Sequence, residues 1–515
     1  MRSPFSWFTL GSAALAAALL SCGGGKSSPS GGTGGAGTTT ASTGGGATTA
    51  SAGTGGSTPP PQTCPAPIQP ADISSPTSVV GTGTAASCTE AALVAALAKG
   101  GVVTFDCGAA PVTVTVSAQQ DVKLDTVIDG GGTVTLSGGG KTRILHVASA
   151  WNVTTPKLTV QHLAFTGGYT TDVVDTKATT AGGAAIFREG GSLDVIDCQF
   201  TGNQCATTGQ DVSGGAVTSQ GQGNTVIVGS TFTDNTGSNG GAVGNLGNGL
   251  TVVDCTFTGN SATGTDGNPG NGGNGGAIMF DGAMTTESLC GSTFTGNSAK
   301  AQGGAIFRVA YTDEPTVIDQ CTFDGNSADA TVGLAGAVYL ENTTITMTAT
   351  TISGNTSHYG GGMWVGQSAV ANLTNVTVVN NSSDQGGGFW FANDVSGTFL
   401  NCTIAGNTSG YGGALFSGSN AVKLENSVLS NNDCKGVLFP AGGVNLGFMG
   451  GDGCTTGAAT GDPLLGPLQD NGGPTKTELP GAGSPAIGKG TGCPMTDQRG
   501  QPRKAACTLG AVEAG

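Results

Sequence analysis

The sequence predicts an all-β fold in which one chain winds into a right-handed, single-stranded parallel β-helix, a solenoid with an N-terminal capping helix. Glycine supplies 95 of the 515 residues, against a usual share of roughly 7%, so backbone turns dominate the fold. A short phrase recurs nine times, and the spacing between repeats varies mainly at one connection. Stacked turns repeat each residue at the same place and let only an outward loop change length, which is typical of a solenoid.

The recurring phrase is a large apolar residue, Asn three positions later, and then a Gly-Gly pair followed by apolar residues. Successive Asn residues are between 24 and 37 positions apart, which indicates a unit of about 25 residues with insertions. Asn tolerates left-handed backbone and can bond to neighbouring amides, so it suits a turn that every coil repeats. The predicted Asn ladder comprises Asn203, Asn235, Asn260, Asn297, Asn326, Asn355, Asn381, Asn407 and Asn431.

The large apolar residue of each phrase is expected to stack inside the coil, about 4.8 Å above its equivalent in the previous turn. Small residues stand two positions earlier, on the same strand face. Cysteines among them do not fall in neighbouring turns, so we predict buried thiols rather than disulfides. These cysteines are Cys198, Cys255, Cys321 and Cys402.

Residues 1–21 are predicted to be a lipoprotein signal peptide. Arg2 precedes a short apolar stretch that ends at Leu20 and is too short for a membrane span. The step Leu19-Leu20-Ser21-Cys22 resembles the bacterial lipobox. The resemblance implies cleavage before Cys22 and lipid on that residue, which would anchor an exported protein at the bacterial outer membrane or cell surface. An ordinary cleaved signal followed by a chance Cys is the alternative.

Four further segments are expected after the signal peptide. Residues 22–62 are almost entirely Gly, Ser, Thr, Ala and Pro, which predicts a flexible, disordered linker. Residues 63–110 form the expected N-terminal cap, residues 111–454 the β-helix with its repeats, and residues 455–515 a C-terminal tail.

One helix is predicted within the cap, over residues 89–99, with Thr89 as its N-cap and Gly100-Gly101 as its end. It would cover the open end of the first turn. Cys88 and Cys107 flank this helix and are the best disulfide pair in an oxidising compartment. Weaker predicted pairs are Cys434 with Cys454 and Cys493 with Cys507.

Motifs of two known families occur in this chain. Gly276-Ala277-Ile278 and Phe294-Thr295-Gly296-Asn297 resemble the repeat of chlamydial polymorphic outer membrane proteins (Pmp), and the likeness spans roughly residues 165–445. Stretches of the cap and tail resemble bacterial choice-of-anchor Q domain-containing surface proteins, among them Cys88-Thr89-Glu90-Ala91-Ala92 and Asp470-Asn471-Gly472-Gly473-Pro474. Both resemblances imply a pectin-lyase-like β-helix displayed outside the cell.

The charge balance argues against nucleic acid as a partner. Lys and Arg number 18 against 33 Asp and Glu, a formal net charge of −15, which repels phosphate backbones. The expected partner is instead a polysaccharide or a cell-surface component, and the membrane is reached through the N-terminal lipid only.

No catalytic residue, metal site or cofactor is predicted. Enzymes on pectin-lyase-like folds cluster Asp side chains, or combine Asp-bound calcium with Arg and Lys. The two arginines of the stretch 499–503 lie beyond the last recognised turn, so they are not interpreted as a lyase motif. The three histidines fall at unrelated repeat positions and are His146, His162 and His358.

Calcium stays an alternative at two places. Asp121, Asp125 and Asp129 recur every four residues, and the loop 266–271 is rich in Asp, Asn and Gly. Calcium needs roughly six to eight converging oxygens, so turn capping by these residues is the simpler prediction.

One column of large apolar residues is predicted to face outward. Neighbouring strand residues point to opposite sides, so of the two apolar residues after each Gly-Gly pair, one column fills the core and the larger one faces out. Such a row is a candidate platform for sugar rings or an apolar partner. Alternatively, inserted loops or the tail cover it, or a bulge places both columns inside. The row begins at Met279, and the candidate binding residues are Phe307, Tyr339, Trp364, Trp390 and Phe416.

The function class favoured by these observations is a non-enzymatic cell-surface lipoprotein that displays a β-helix for adhesion or glycan contact. Two other classes stay open. A secreted polysaccharide lyase or glycoside hydrolase would need several acidic or basic side chains converging in one groove. A structural envelope spacer would bind no ligand.

Overall fold

Parallel strands in three long sheets form the body of the protein, which we describe from a computed structural model of residues 64–170, 178–282, 286–411 and 413–515. The strands of one turn pair in parallel with the equivalent strands of the turns before and after it. The predicted parallel β-helix is therefore confirmed. The expected signal peptide (1–21), the lipidation site Cys22 and the linker (22–62) lie outside the described residues.

The three sheets run side by side along the coil axis. The first sheet contains Ser78–Val80, Gly101–Phe105, Val112–Thr115, Thr126–Ser137, Lys157–Thr166, Ser192–Ile196, Gln199–Thr201, Asn224–Val228, Thr231–Thr233, Gly249–Val253, Thr256–Thr258, Glu287–Cys290, Thr293–Thr295, Thr316–Asp319, Thr322–Asp324, Thr344–Thr348, Thr351–Ser353, Val370–Thr374, Thr377–Val379, Ser396–Leu400, Thr403–Ala405, Ala421–Glu425, Val428–Ser430, Leu446–Phe448 and Ala459–Thr460. The second contains Gln120–Val122, Leu145–Val147, Ile186–Glu189, Val217–Gln220, Val243–Leu246, Ile278–Gly282, Ile306–Ala310, Val338–Glu341, Met363–Gly366, Phe389–Phe391, Leu415–Ser417 and Cys434–Gly436. The third contains Thr236–Gly237, Ser261–Ala262, Ser298–Ala299, Ser327–Ala328, Thr356–Tyr359, Ser382–Gln385 and Thr408–Ser409.

The predicted capping helix is present as α1 (Glu90–Leu97), and it buries Leu93 and Leu97 against the first turn. The hydroxyl of its N-cap, Thr89, accepts a hydrogen bond from the Ala92 amide at 3.2 Å. Short 3-10 turns occur at Ala85–Ser87, Ala178–Ala181 and Gly451–Gly453. None of the helices in the described parts of the chain has the length and apolar character needed to span a bilayer.

The segment 63–110 does more than cap the coil, because it also supplies the first two strands of the first sheet. Ser78–Val80 pairs in parallel with Gly101–Phe105, which in turn pairs with the next turn of the coil. The disulfide between Cys88 and Cys107 is present and ties α1 to the end of the second strand. The pairs Cys434–Cys454 and Cys493–Cys507 are also present.

A stack of phenylalanine rings fills the core beneath the first sheet. Strand pairing places each ring directly over its equivalent, as with Phe232 and Phe257. Successive ring centroids are 4.7 to 4.8 Å apart and the rings are nearly parallel, so the spacing of the strands sets that of the rings. The stack comprises Phe165, Phe200, Phe232, Phe257, Phe294 and Phe323.

The Asn ladder lies beside this stack and satisfies the backbone at the corner of each turn. Nδ2 of Asn297 donates to the Phe257 carbonyl at 3.0 Å and to Oδ1 of Asn326 at 2.9 Å. The backbone amide of Asn297 donates to the same Oδ1 at 3.0 Å. The equivalent bonds recur from Asn203 onward, so each rung binds the turns on both sides of it.

The last rung of the ladder is Asn432, and the prediction of Asn431 was wrong. Oδ1 of Asn432 accepts hydrogen bonds from the Asn407 amide and Nδ2 at 3.2 and 3.1 Å, whereas Asn431 is exposed. The recurring phrase can be aligned here in two ways, as Val428 with Asn431 or as Leu429 with Asn432. Leu429 is the core residue, because it pairs with Ile404 of the previous turn. Val428 lies on the outside of the sheet, where it packs under the C-terminal tail.

The predicted buried thiols lie in the core as free cysteines. Their burial raises the pKa of each thiol to about 12, which makes them poor nucleophiles. These residues are Cys198, Cys255, Cys321 and Cys402, and Cys205 is a further buried free cysteine that the repeat did not predict.

Both ends of the described chain pack on the outer face of the first sheet. Residues 64–73, here called the N-terminal strap, lie over its first half, where Ala66 and Ile68 contact an apolar strip that includes Val228 and Val253. A disulfide from Cys64 to Cys290, which the sequence analysis did not predict, fixes the start of the strap.

The C-terminal tail (455–515) lies over the second half of the same face. Nε2 of Gln498 donates to Oγ1 of Thr351 at 2.8 Å, and Oγ1 of Thr377 donates to Oε1 of Gln498 at 2.6 Å. Leu509 packs against Val428 further along the sheet. The first sheet is therefore covered by terminal segments along much of its length.

Candidate functional site

The predicted outward column stands on the second sheet. Met363, Phe389 and Leu415 point into the core, and the aromatic residue after each of them lies on the outer side of its strand. Strand pairing aligns these aromatic residues turn by turn. The aligned set, here called the aromatic ridge, is Phe307, Tyr339, Trp364, Trp390 and Phe416.

The rings of the aromatic ridge stack on one another. Successive centroids are 4.6 to 5.3 Å apart, with interplanar angles of 4 to 13°. The ring faces therefore point along the coil axis and the ring edges point outward. Face-on stacking of sugar rings, which we expected for this row, is not available at Tyr339, Trp364 or Trp390, because both faces of each ring are occupied by neighbours.

Loops cover the first half of the ridge. Phe307 and Tyr339 are only 1% and 3% exposed, and they form a separate cluster with Met279 and Ala335 outside the main core. Trp364, Trp390 and Phe416 are half-buried; these three are here called the open half of the ridge. Because the C-terminal tail packs on the first sheet, it lies on a different side of the coil from the open half.

A flat shelf adjoins the open half on one side. A Cβ atom at Gly366 would lie 2.4 Å from Cη2 of Trp364, so the indole occupies the space that a side chain at residue 366 would need. Ala392 and Gly418 hold the equivalent position, two residues after the other two rings. The missing side chain at Gly366 therefore lets the edge of the Trp364 indole lie against the strand.

Tyr359 contacts the ridge on the other side and Tyr411 is exposed at the start of a later turn, and the sequence analysis missed both. The ring of Tyr359 meets Trp390 edge-on at 6.3 Å between centroids, and Tyr411 is 82% exposed. Both immediately precede a glycine of the Gly-Gly turn, a position that the repeat alignment could have included. The indole N–H of Trp390 is buried and has no hydrogen-bond partner among the described residues.

Acidic side chains border the ridge. Glu341 accepts hydrogen bonds from the Tyr339 hydroxyl and, at 3.0 Å, from Nε2 of Gln367, and burial raises the pKa of Glu341. Asp394 is exposed on the same side, and Asp384 lies on the other side, 2.9 Å from Nδ1 of His358. This border disfavours an anionic partner.

A buried ion pair lies inside the coil. Nε of Arg308 is 2.6 Å from Oε2 of Glu287, and Nη2 of Arg308 is 3.9 Å from Glu314. Burial raises the pKa of Glu287, and the nearby Arg308 lowers it by less. Arg308 is fully buried, so this pair has no access for a polymeric substrate and acts as a structural element.

The histidines do not converge. They lie on three different sheets, and each contacts an aspartate of a neighbouring turn: His146 with Asp121, His162 with Asp129 and His358 with Asp384, at 3.0, 2.9 and 2.9 Å. Asp129 additionally accepts from the Gly131 amide and from Gln161. The bond from the Gly131 amide to Asp129 is of the turn-capping kind that the sequence favoured, whereas the histidine contacts are side-chain pairs between turns.

The two calcium candidates are also occupied by local bonds. Asp125 accepts from the Lys157 amide at 2.8 Å, and Oδ2 of Asp266 accepts from Thr265 and Asn271. Within the described ranges, no three His, Cys, Asp or Glu side chains are grouped so that they could hold a metal ion.

The arginines of the tail are held by the tail itself. Arg499 contacts Asp497 at 2.8 Å. Arg503 donates to Oδ1 of Asn375 at 2.7 Å and lies 3.7 Å from Glu513. Arg503 therefore joins the tail to the coil at Asn375, and Arg499 makes its contacts within the tail.

Comparison with known families agrees with this architecture. Residues 335–447 match the family described as "Right handed beta helix region". Residues 254–281 and 291–307 match the "Chlamydia polymorphic membrane protein (Chlamydia_PMP) repeat". The resemblance to Pmp repeats and the handedness of the coil are therefore confirmed. No curated protein matches the chain.

Solved structures with a similar course of the chain are remote in sequence. PfbA, a surface adhesin of Streptococcus pneumoniae, is 11% identical over 78% of this chain and all of its own, with a TM-score of 0.35. The A-module of the mannuronan C-5 epimerase AlgE4 of Azotobacter vinelandii is 14% identical over 70% of this chain and 94% of its own, with a TM-score of 0.25. ORF18 of Geobacillus virus E2 is 14% identical over 69% of this chain and 62% of its own, with a TM-score of 0.28. None of these likenesses carries an argument about function.

Proposed function

We propose that this protein is an exported cell-surface adhesin that binds its partner through the open half of the aromatic ridge and performs no catalysis. The observation that carries the proposal is the row of half-exposed aromatic rings at Trp364, Trp390 and Phe416, beside a shelf of small residues. Contiguous aromatic surface of this kind is favourable only when a partner removes it from water.

The partner that suits this surface is a protein with an apolar patch. Rings that are stacked face to face offer their edges, so they can pack against side chains but cannot lie flat on sugar rings. The acidic border at Glu341, Asp384 and Asp394 favours a neutral or basic partner.

Attachment of the protein to the cell is proposed through lipid on Cys22. The supporting feature is the sequence Leu19-Leu20-Ser21-Cys22, and the match to a chlamydial membrane-protein repeat supports a surface location. We expect the protein to incorporate a labelled fatty acid in growing bacteria and the Cys22→Ala variant to incorporate none. Equal labelling of both would contradict the anchoring proposal alone.

The binding proposal is tested by replacing the two tryptophans of the open half. Tryptophans at the centre of an interface typically contribute about 2 kcal/mol or more, or roughly 30-fold in affinity. We therefore expect Trp364→Ser with Trp390→Ser to weaken binding at least that much. Binding is measured against whole cells, an array of purified extracellular proteins and an array of glycans.

The matched control is Trp151→Ser, because Trp151 is 45% exposed and lies in an early turn, away from the ridge. This variant should bind like the unaltered protein, and thermal unfolding should show all three proteins folded. Unchanged binding by the folded double variant would contradict a role for the ridge. Binding confined to the glycan array would contradict the proposed class of partner.

A further inference from the structure

The first described residue is covalently joined to the middle of the coil. The disulfide from Cys64 to Cys290 spans 226 positions and holds their Cα atoms 5.7 Å apart. The N-terminal strap, the cap and the early turns all lie inside this closed loop. Tension on the chain before Cys64 therefore has a covalent path to Cys290 that bypasses every residue between them.

Without the disulfide, the same tension would reach weakly held elements first. The strap contains Pro65, Pro67 and Pro70, which have no N–H with which to join a sheet. It is held by a few apolar contacts and by a reciprocal pair of hydrogen bonds between the Ala71 backbone and Gln161, at 2.8 and 3.2 Å.

The next element along the chain is an edge strand. Ser78–Val80 starts the first sheet and pairs with Gly101–Phe105, so a pull on it would break one ladder from its end. Successive strands of the coil would then come off in order, because each becomes the new edge as the previous one leaves.

Cys290 instead ends a strand in the interior of the first sheet. Glu287–Cys290 pairs with Gly249–Val253 on one side and with Thr316–Asp319 on the other. Its Leu289 is fully buried in the core. Tension that enters there is resisted by two ladders and by core packing at once.

We propose that the Cys64–Cys290 disulfide is a mechanical bypass, which carries tension from the N-terminal anchor into the middle of the coil and keeps the cap and early turns out of the force path. The inference rests on the proposed function, since an adhesin is stretched between its anchor and its partner. The open half of the ridge follows Cys290 in the chain, so only the turns from residue 290 to the ridge would bear the load.

The test is single-molecule stretching of the full chain between handles at its two ends. The unaltered protein should gain less end-to-end length on complete unfolding than the Cys64→Ser, Cys290→Ser variant. At roughly 3.3 to 3.6 Å per residue, the variant should gain about 700 Å more, after allowance for the loop of 19 positions that Cys88–Cys107 keeps closed. Its first unfolding event should also occur at lower force.

The matched control removes a disulfide inside the bypassed loop. The Cys88→Ser, Cys107→Ser variant should unfold at the same force and with the same length gain as the unaltered protein. If the first double variant does not fold, stretching of the unaltered protein with a dithiol reductant present should release about 900 Å of extra length, because the reductant also opens the three shorter disulfide loops.

Equal length gain with and without the Cys64–Cys290 disulfide, or a lower unfolding force in the Cys88–Cys107 control, would overturn the inference. The stretching experiment uses neither lipid nor partner. Its failure is therefore distinguishable from a failure of the proposed anchoring or of the proposed ridge binding, which the labelling and binding experiments test.

Discussion

Replacement of Asn297 by Asp is expected to lower the free energy of unfolding by about 4 kcal/mol, although the side chain keeps its size. Nδ2 of Asn297 is the donor to both the Phe257 carbonyl and Oδ1 of Asn326. A carboxylate oxygen at that position would face two acceptors, and each buried polar group that loses its partner costs roughly 1–3 kcal/mol. Urea denaturation followed by circular dichroism measures the change.

Asn431→Asp is the matched control for this substitution. Asn431 is exposed and adopts a φ of +53°, which Asp tolerates almost as well as Asn. We expect this variant to unfold within about 0.5 kcal/mol of the unaltered protein, as surface substitutions usually do. A large loss of stability in the Asn431 variant, or a negligible loss in the Asn297 variant, would contradict the assignment of Asn297 to the ladder and of Asn431 to the surface.

Replacement of Arg308 by Met is expected to destabilise the coil by about 3–5 kcal/mol, the usual range for breaking a buried ion pair. Glu287 would then lack the cation that lies 2.6 Å from it. The loss should depend on pH, because removal of Arg308 raises the pKa of Glu287 in the folded state further above its unfolded value of roughly 4.3. The unaltered protein itself keeps Glu287 protonated until the pH nears the folded-state pKa of about 8, so the pH-dependent part of the deficit should be small below pH 8 and should grow above it.

The double variant Arg308→Met, Glu287→Leu provides the control. It removes both charges and replaces them with apolar groups, a change that is often neutral or stabilising for buried pairs. We expect it to recover most of the stability and to lose the added pH dependence in thermal unfolding between pH 6 and 10. A double variant that is no more stable than Arg308→Met would contradict the attribution to an uncompensated Glu287.

The repeat made the stacking of the coil predictable because each column has a separate steric or hydrogen-bonding demand. A large apolar residue and an Asn three positions later define the core and the corner, and a Gly-Gly pair defines the turn into the second sheet. Where a column contains a doublet, as at Asn431-Asn432, the repeat alone permits two registers. The packing of Val428 under a distant tail selects one of them.

Features that depend on how the chain folds back could not be predicted in this way. Nothing in the local sequence marks Cys64 as the partner of Cys290, because the N-terminal strap that begins at Cys64 has no repeat to align it with the coil. The outward direction of the aromatic column followed from strand alternation, whereas the orientation of its rings did not. That orientation arises because side chains about 4.8 Å apart in parallel strands stack face to face.

Engineered cross-links test the stacking of successive turns most directly. Ser261 and Ser298 are paired neighbours in the third sheet, with their Oγ atoms 3.1 Å apart, and Ser327 lies one turn further on. Neighbouring parallel strands place Cα atoms within the roughly 4.4–6.8 Å that a disulfide spans, whereas two turns place them about 9.6 Å apart. Oxidation and peptide mass mapping should therefore find a disulfide in the Ser261→Cys, Ser298→Cys variant and none in the Ser261→Cys, Ser327→Cys variant. A cross-link between residues 261 and 327, or no cross-link between residues 261 and 298, would contradict the coil on which every assignment above depends.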